Sequence, residues 1–251
     1  MIDLTLDQQA NPLLWKCVVG PLRGLRILQR RLGVRELGCT YFGADFLADL
    51  RDDFGFDLAT RRFEHNDIAR FVAACRRLRP GLFIDVGANM GIYSCIVGRL
   101  DAAIRIIAIE PDPQTFRMLE RQIMHNRLAS RATLIEAAAG ASHGGEVGLV
   151  RVDGNRGMIK VSDRTNGYCA ARVVALDALD LPHDSCVAIK IDVEGFEPEV
   201  LRGGRDFFRR NHGYAQIEAI GDALAPLAEQ MAAAGWAMVD RYGINAMFEK
   251  H

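Results

Sequence analysis

Short apolar runs alternate with amphipathic stretches through most of the chain. The runs are Leu82–Val86, Ile104–Ile109, Ala132–Ala137, Cys186–Ile191, Tyr214–Ile220, Trp236–Asp240 and Ala246–Glu249. Each is short enough for a strand, and the first two, rich in β-branched or aromatic residues, have the pattern of a strand covered on both faces. Between them apolar residues recur at helical spacing. Ile92, Cys95, Ile96 and Val97 mark one helix; Phe116, Leu119 and Ile123 mark a second, from Pro113 to Asn126. Val200, Leu201 and Phe207 mark a third, and Ala223–Ala234 a fourth that Gly235 ends. Strand and helix in alternation predict an α/β fold, a mostly parallel seven-stranded sheet with helices on both faces. Gly243 joins the last two runs as an antiparallel hairpin.

Two regions depart from this rhythm. Residues 140–184 contain Gly144-Gly145 and the strand patterns Glu146–Val152 and Ala171–Ala175, which predicts a β insertion before the fourth core strand. Residues 1–62 precede the alternation as a helical and hairpin extension, and 63–251 form the main domain. Within the extension a basic amphipathic helix is predicted from Pro12 to Leu32, kinked at Gly20-Pro21. A hairpin is predicted over 41–59. Phe46, Leu47 and Leu50 form its first arm, Arg51-Asp52-Asp53 its turn, and Phe54, Phe56 and Leu58 its second. A helix from Asn66, as N-cap, to Leu78 leads into the first core strand.

The chemistry concentrates where the first core strand ends. Leu-Phe-Ile-Asp-Val-Gly-Ala-Asn-Met-Gly-Ile-Tyr-Ser, residues 82–94, reads as strand, glycine-rich turn and helix, the first unit of a nucleotide-binding sheet. A dinucleotide fingerprint needs Gly-x-Gly-x-x-Gly; here Asn89 and Ile92 occupy the second and third glycine positions. Asp-x-Gly-x-Asn-x-Gly instead resembles motif I of class I S-adenosylmethionine-dependent methyltransferases. A sulfonium and an ammonium favour a pocket of carboxylates, and this chain supplies them. Asp85, Glu110, Glu136, Asp192 and Glu194 all fall at or just past strand ends, which a parallel sheet brings to one edge. Glu110, about 20 residues beyond the turn, is placed to accept ribose hydroxyls.

Composition narrows the partners. The chain has 251 residues with a net charge of -1, which gives no sign of nucleic-acid binding. Its six cysteines are scattered without a Cys-x-x-Cys pair, arguing against a zinc site or disulfide framework and for a reducing, cytoplasmic setting. No apolar run reaches transmembrane length. The basic helix around residues 13–32 packs on its own domain, touches a membrane surface or serves a homodimer.

Phe83-Ile-Asp-Val-Gly-Ala-Asn-Met-Gly, Ala108-Ile-Glu-Pro, Ile189-Lys-Ile-Asp-Val-Glu-Gly-Phe-Glu and Val200-Leu-Arg-Gly-Gly together resemble the FkbM family of methyltransferases, as do Val174-Ala-Leu-Asp-Ala-Leu and Asn245-Ala-Met-Phe. The likeness runs from about Phe63 to the C-terminus. It implies a Rossmann-like class I methyltransferase fold, S-adenosyl-L-methionine as donor, and an acceptor hydroxyl on a sugar, glycan or secondary metabolite. By the same likeness Gly87, Ala88, Asn89 and Gly91 bind the methionine end, Glu110 with Pro111 the ribose, and Glu136 and Ala137 flank the adenine. Asp85 and Asp192 complete the cofactor set.

Lys190 interrupts the fourth strand, and a buried ammonium needs a partner. The usual methyltransferase strand order makes Asp85 and Glu218 its expected carboxylates. Asp192 is the first candidate for taking the acceptor's proton and Glu194 the second, with Lys190 beside them. A divalent cation on these acids is a less favoured route, and no metal ligand set is assigned. A nicotinamide-dependent oxidoreductase and a non-catalytic cofactor binder are the alternative functions.

Overall fold

The computed structural model describes residues 35–50, 53–151, 159–162 and 168–251. The basic helix expected over Pro12–Leu32 lies outside them. In chain order the strands and helices are β1 (Glu36–Tyr41), β2 (Ala44–Asp49), α1 (Asp53–Ala59), α2 (His65–Leu78), β3 (Leu82–Val86), α3 (Ile92–Leu100), β4 (Arg105–Ile109) and α4 (Pro113–His125). β5 (Ala132–Ile135), β6 (Ala138–Ala139), β7 (Glu146–Arg151), β8 (Ile159–Ser162), β9 (Cys169–Val174) and β10 (Cys186–Ile191) follow. The chain closes with α5 (Glu197–Gly203), α6 (Arg205–Arg210), β11 (His212–Glu218), α7 (Leu224–Ala233), β12 (Ala237–Tyr242) and β13 (Asn245–Lys250).

Two compact units divide the chain. The described part of the first comprises residues 35–41, 45–50 and 53–65; that of the second comprises 42–44, 66–151, 159–162 and 168–251. In the first, the expected hairpin forms earlier than its sequence pattern indicates, β1 and β2 turning at Phe42-Gly43. Phe54, Phe56 and Leu58 belong to α1, not to a strand. A Cβ on Gly55 would collide with the backbone of Asp49, so this segment coils directly against the end of β2. The tight approach outweighs the period-two pattern. Phe54 packs on Phe63 with ring centroids 4.4 Å apart.

The second unit is built on a seven-stranded sheet ordered β12-β13-β11-β10-β3-β4-β5. All neighbours from β11 to β5 are parallel, and β13 and β12 close the sheet as an antiparallel hairpin. This is the expected Rossmann-like arrangement, with β10 between β3 and β11. Alternation along the strands separates two faces. Ile84, Val86, Ile107, Ile109, Ile189, Ile191, Ala215, Ile217 and Phe248 face an apolar layer with Val200 and Leu201 of α5, Phe207 and Phe208 of α6, and Leu227 and Met231 of α7. On the other face Phe71 of α2 sits edge-on to Phe83, Tyr93 and Tyr214, with centroids 5.3, 5.5 and 5.3 Å away.

Several boundaries differ from expectation, β11 spanning His212–Glu218 and β12 Ala237–Tyr242 among them. Asn66 lies inside α2 rather than capping it, and its amide donates to the Tyr242 hydroxyl at 2.7 Å. The single helix expected after β10 is two short helices, α5 and α6, meeting at Gly204. β5 ends at Ile135, and Ala138-Ala139 pairs instead with β9. The insertion is therefore more than a hairpin: β6, β9, β7 and β8 form a second sheet in that order around Leu149, Ala138 and Ala171.

Candidate active site at the carboxyl edge of the sheet

Strand register explains why acids far apart in sequence come together. Leu134, Ala108, Asp85, Lys190, Gln216 and Met247 lie side by side across six strands. Residues two positions further on share that face. They are Glu136, Glu110, Gly87, Asp192, Glu218 and Asn245, and Glu218 and Asn245 are themselves paired. The ladder continues past the strand ends: Asp192 N–H donates to the Val86 carbonyl at 3.0 Å, and Glu110 N–H to that of Ile135 at 3.1 Å. Asp85, Glu110 and Asp192 thus converge on one edge, Asp85 one rung below the other two.

The glycine-rich loop bends where β3 meets β10. Gly87 has φ 74°, and a Cβ there would strike the Asp192 carbonyl oxygen. Only glycine lets these two strand ends touch. Gly87 and Ala88 N–H groups both donate to the Ile109 carbonyl at 3.0 Å. Asn89 takes φ 50°, tolerated because its Oδ1 accepts from Met90 N–H at 2.8 Å. Gly91 then forms the N-cap of α3 without a side-chain acceptor. Asp85 fills that role from beneath. Its Oδ2 accepts from Ser94 N–H at 3.0 Å and from the Ser94 hydroxyl at 2.7 Å. Asp85 is 1% exposed, and burial raises its pKa against the opposing pull of Lys190 and Ser94.

Glu110 is held by the loop it faces. Oε2 accepts from Asn89 N–H at 2.9 Å and Oε1 from Asp112 N–H at 3.0 Å. Burial nevertheless pushes its pKa up to about 7. Pro111 follows it, and Asp112 caps α4 by accepting from Thr115 N–H at 2.9 Å and from the Tyr168 hydroxyl. Glu136 is exposed at the far end of the rim, while Ala137 beside it is fully buried in the core.

The other half of the edge surrounds Lys190, which is 5% exposed. Its ammonium donates to Asp192 Oδ2 at 2.7 Å and lies 4.8 Å from the Tyr93 ring centroid. The ammonium thus has a carboxylate partner as expected, and it is Asp192. Of the two acids expected there, Asp85 and Glu218 both feel Lys190 as a neighbouring positive charge. Gln216 Nε2 donates to the Tyr93 hydroxyl at 3.2 Å. After Asp192 the chain turns through Glu194 at φ 57° and Gly195 at φ 102°. Glu197 closes that turn, Oε1 accepting from Val193 and Gly195 N–H groups, each at 3.1 Å.

Glu197, Ser94 and Gln216 were not among the expected site residues. Glu197 is the last acid of the Asp-Val-Glu-Gly-Phe-Glu run, and its spacing to that turn was the available signal. Among the described residues, no group of three His, Cys, Asp or Glu side chains is placed to hold a metal ion. No helix among them is long and apolar enough to cross a membrane.

A family model for the Methyltransferase FkbM domain matches residues 85–232. No curated protein matches the chain. Among solved structures, the methyltransferase FkbM from Methylobacillus flagellatus KT is similar at TM-score 0.51 and 18% identity, over 78% of this chain and 55% of that one. This chain therefore spans about half the length of that relative, and the likeness shows a shared fold. A precorrin-6y C5,15-methyltransferase from Geobacter metallireducens GS-15 aligns at TM-score 0.46 and 18% identity, over 74% of this chain and 89% of that one.

Proposed function

Because the chain belongs to the FkbM methyltransferase family, we propose that it is an S-adenosylmethionine-dependent O-methyltransferase acting on a hydroxyl of a sugar, glycan or secondary metabolite. The observation that carries this reading is Glu110. It is a buried carboxylate at the rim with one loop N–H on each oxygen, leaving a second lone pair on each for a ribose hydroxyl. The glycine-rich loop serves the same donor: Gly87 seats it against the Asp192 backbone, where a Cβ would collide, and its Asn89 N–H binds Glu110.

Gly87, Ala88, Asn89 and Gly91 hold the methionine end. Glu110 and Pro111 hold the ribose, Glu136 flanks the adenine, and Ala137 fixes the turn behind it. Asp85 braces the loop through Ser94. Asp192, Glu194 and Lys190 form the acceptor side, where the Lys190–Asp192 pair orients the hydroxyl. The bound donor supplies a methyl group on a cationic sulfur, which the surrounding carboxylates favour over a neutral or anionic ligand. These residues fix the acceptor oxygen in line and exclude water, which supplies most of the acceleration. The protein works in a reducing cytoplasmic compartment, and a divalent cation on the rim acids is the less favoured route to the same chemistry.

Calorimetry with S-adenosylhomocysteine and with NAD tests the reading directly. Binding of the first and not the second is expected; the reverse result would replace it with a nicotinamide-dependent oxidoreductase. A screen of acceptor extracts with methyl-labelled donor then identifies the acceptor. Binding without transfer to any acceptor would leave a non-catalytic cofactor binder.

A further inference from the structure

One acid at the rim has no work to do in the folded chain. Glu218 ends β11, is 7% exposed, and its Oε2 has no hydrogen-bond partner among the described residues. A buried acceptor left unsatisfied costs about 1–3 kcal/mol, so folds rarely keep one without use. Gln216, two residues earlier on the same face, leaves its Oε1 unsatisfied as well. Both atoms are acceptors, so what they lack is a donor. A hydroxyl meets that need and an anion does not.

The surroundings decide which acid is the better base. Asp192 Oδ2 already accepts from the Lys190 ammonium at 2.7 Å, so that oxygen is committed to the ion pair. Glu218 has the opposite environment. Asp192, Glu194 and Glu197 face it from the end of β10 and the start of α5, and Lys190 within β10 partly offsets them. Asn245 lies opposite on β13 and is itself bound to Asp67 of α2 at 3.1 Å.

We infer that Glu218, rather than Asp192, takes the proton of the acceptor hydroxyl during methyl transfer, and that its unpartnered carboxylate oxygen is the atom that receives it. The acceptor oxygen forms its bond to the methyl carbon as the carbon–sulfur bond breaks, its electron pair staying on sulfur. The hydroxyl proton passes to Glu218 Oε2. Burial first, and the three neighbouring acids next, hold the Glu218 pKa up at about 8, near the working range of a base. The inference rests on the proposed methyl transfer.

The test needs no identified acceptor. Sinefungin carries an amine where the donor carries its methyl group, whereas S-adenosylhomocysteine carries nothing there. Their dissociation constants are measured on the full chain by calorimetry between about pH 6 and 9, where an alkyl amine stays cationic. The wild-type preference for sinefungin is expected to rise about tenfold across that range as Glu218 ionises. Glu218→Gln is expected to bind S-adenosylhomocysteine within about twofold of wild type and to lose that rise. A preference unchanged by the substitution, or flat with pH in the wild type, overturns the inference. Should the variant not fold, the wild-type pH series alone decides. Failure of the wild type to bind S-adenosylhomocysteine at all would instead defeat the methyltransferase reading.

Discussion

Replacing Lys190 by Met removes a buried cation from this part of the rim while keeping its volume. The ammonium lies 2.7 Å from Asp192 Oδ2, with Asp85 level with it on β3. At an effective dielectric constant of about 20, two unit charges at 2.7 Å attract by about 6 kcal/mol before desolvation is counted. Breaking a buried pair from one side costs about 3–5 kcal/mol net, because the other charge stays behind. That is a third or more of the stability of a typical domain. The loss must depend on pH in a definite sense. Burial already raises the Asp85 pKa, and Lys190 is the largest influence restraining it. Without Lys190 it rises further, so the folded state holds a proton that the unfolded state has released. Stability is then lost as pH rises above the ordinary carboxylate range. Lys190→Met should therefore be destabilised by about 3–5 kcal/mol at pH 8 and by under about 2 kcal/mol at pH 5, measured by urea unfolding. A cost below about 1 kcal/mol at pH 8, or one that does not change with pH, would refute the buried-pair account of this residue.

Glu110→Gln should weaken S-adenosylhomocysteine binding by about 10- to 100-fold at pH 8, the worth of a hydrogen bond to a charged group, as read by calorimetry. In the wild type the affinity should fall as pH drops below about 7, where Glu110 takes up its proton. Ser94→Ala removes the hydroxyl donor from Asp85 Oδ2 and leaves the Ser94 N–H in place, and should cost about 1–3 kcal/mol in thermal unfolding; no shift in melting would show that Asp85 does not depend on that hydroxyl. Gly87→Ala should cost at least about 2 kcal/mol from its positive φ and the collision with Asp192, with donor binding lost. Glu110 and Glu218 both have folded pKa values above the ordinary glutamate value, at about 7 and about 8. Each favours the folded state fully only below its unfolded value, so the ligand-free protein should lose stability as pH rises from about 5 to 8. A melting temperature that climbed across that interval would contradict it.

The centre of the sheet was legible in the sequence because β3, β4 and β10 are short apolar runs with a marked end. Cys186–Ile191 was read to the residue: a run of β-branched side chains stops at the first of two acids. Its place between β3 and β11 followed from the family likeness and not from spacing. Local pattern failed where a tertiary contact set the backbone. Phe54, Phe56 and Leu58 alternate like a strand, yet they lie in a helix whose Gly55 packs against the Asp49 backbone, a contact the local pattern does not show. Gly204 was visible as part of a Gly-Gly pair, but the pair does not reveal whether a helix bends there or ends. The insertion was recognised as β structure, while the crossing of Ala138-Ala139 into it was not, because two alanines carry no pattern.

The same division runs through the site. Glu110 and Asp192 announced themselves by ending strands that carry recognisable runs. Ser94 and Glu197 did not: Ser94 gives its N–H and hydroxyl to Asp85, Glu197 accepts from the Val193 and Gly195 N–H groups, and these contacts exist only once α3 and the turn after Asp192 have formed. Glu218 was named only as a partner for Lys190, and its own distinction is an unmet acceptor. Pairing all five parallel strands in one register places Glu136, Glu110, Gly87, Asp192 and Glu218 along a single rung. At the centre of that rung is a glycine, the position where a side chain would separate the two halves. One half is lined by Glu110 and the loop, the other by Lys190, Asp192 and Glu218. On the proposed assignment, a donor held on the first side would meet its acceptor across Gly87. Enlarging that residue should uncouple the two halves as well as strain the turn.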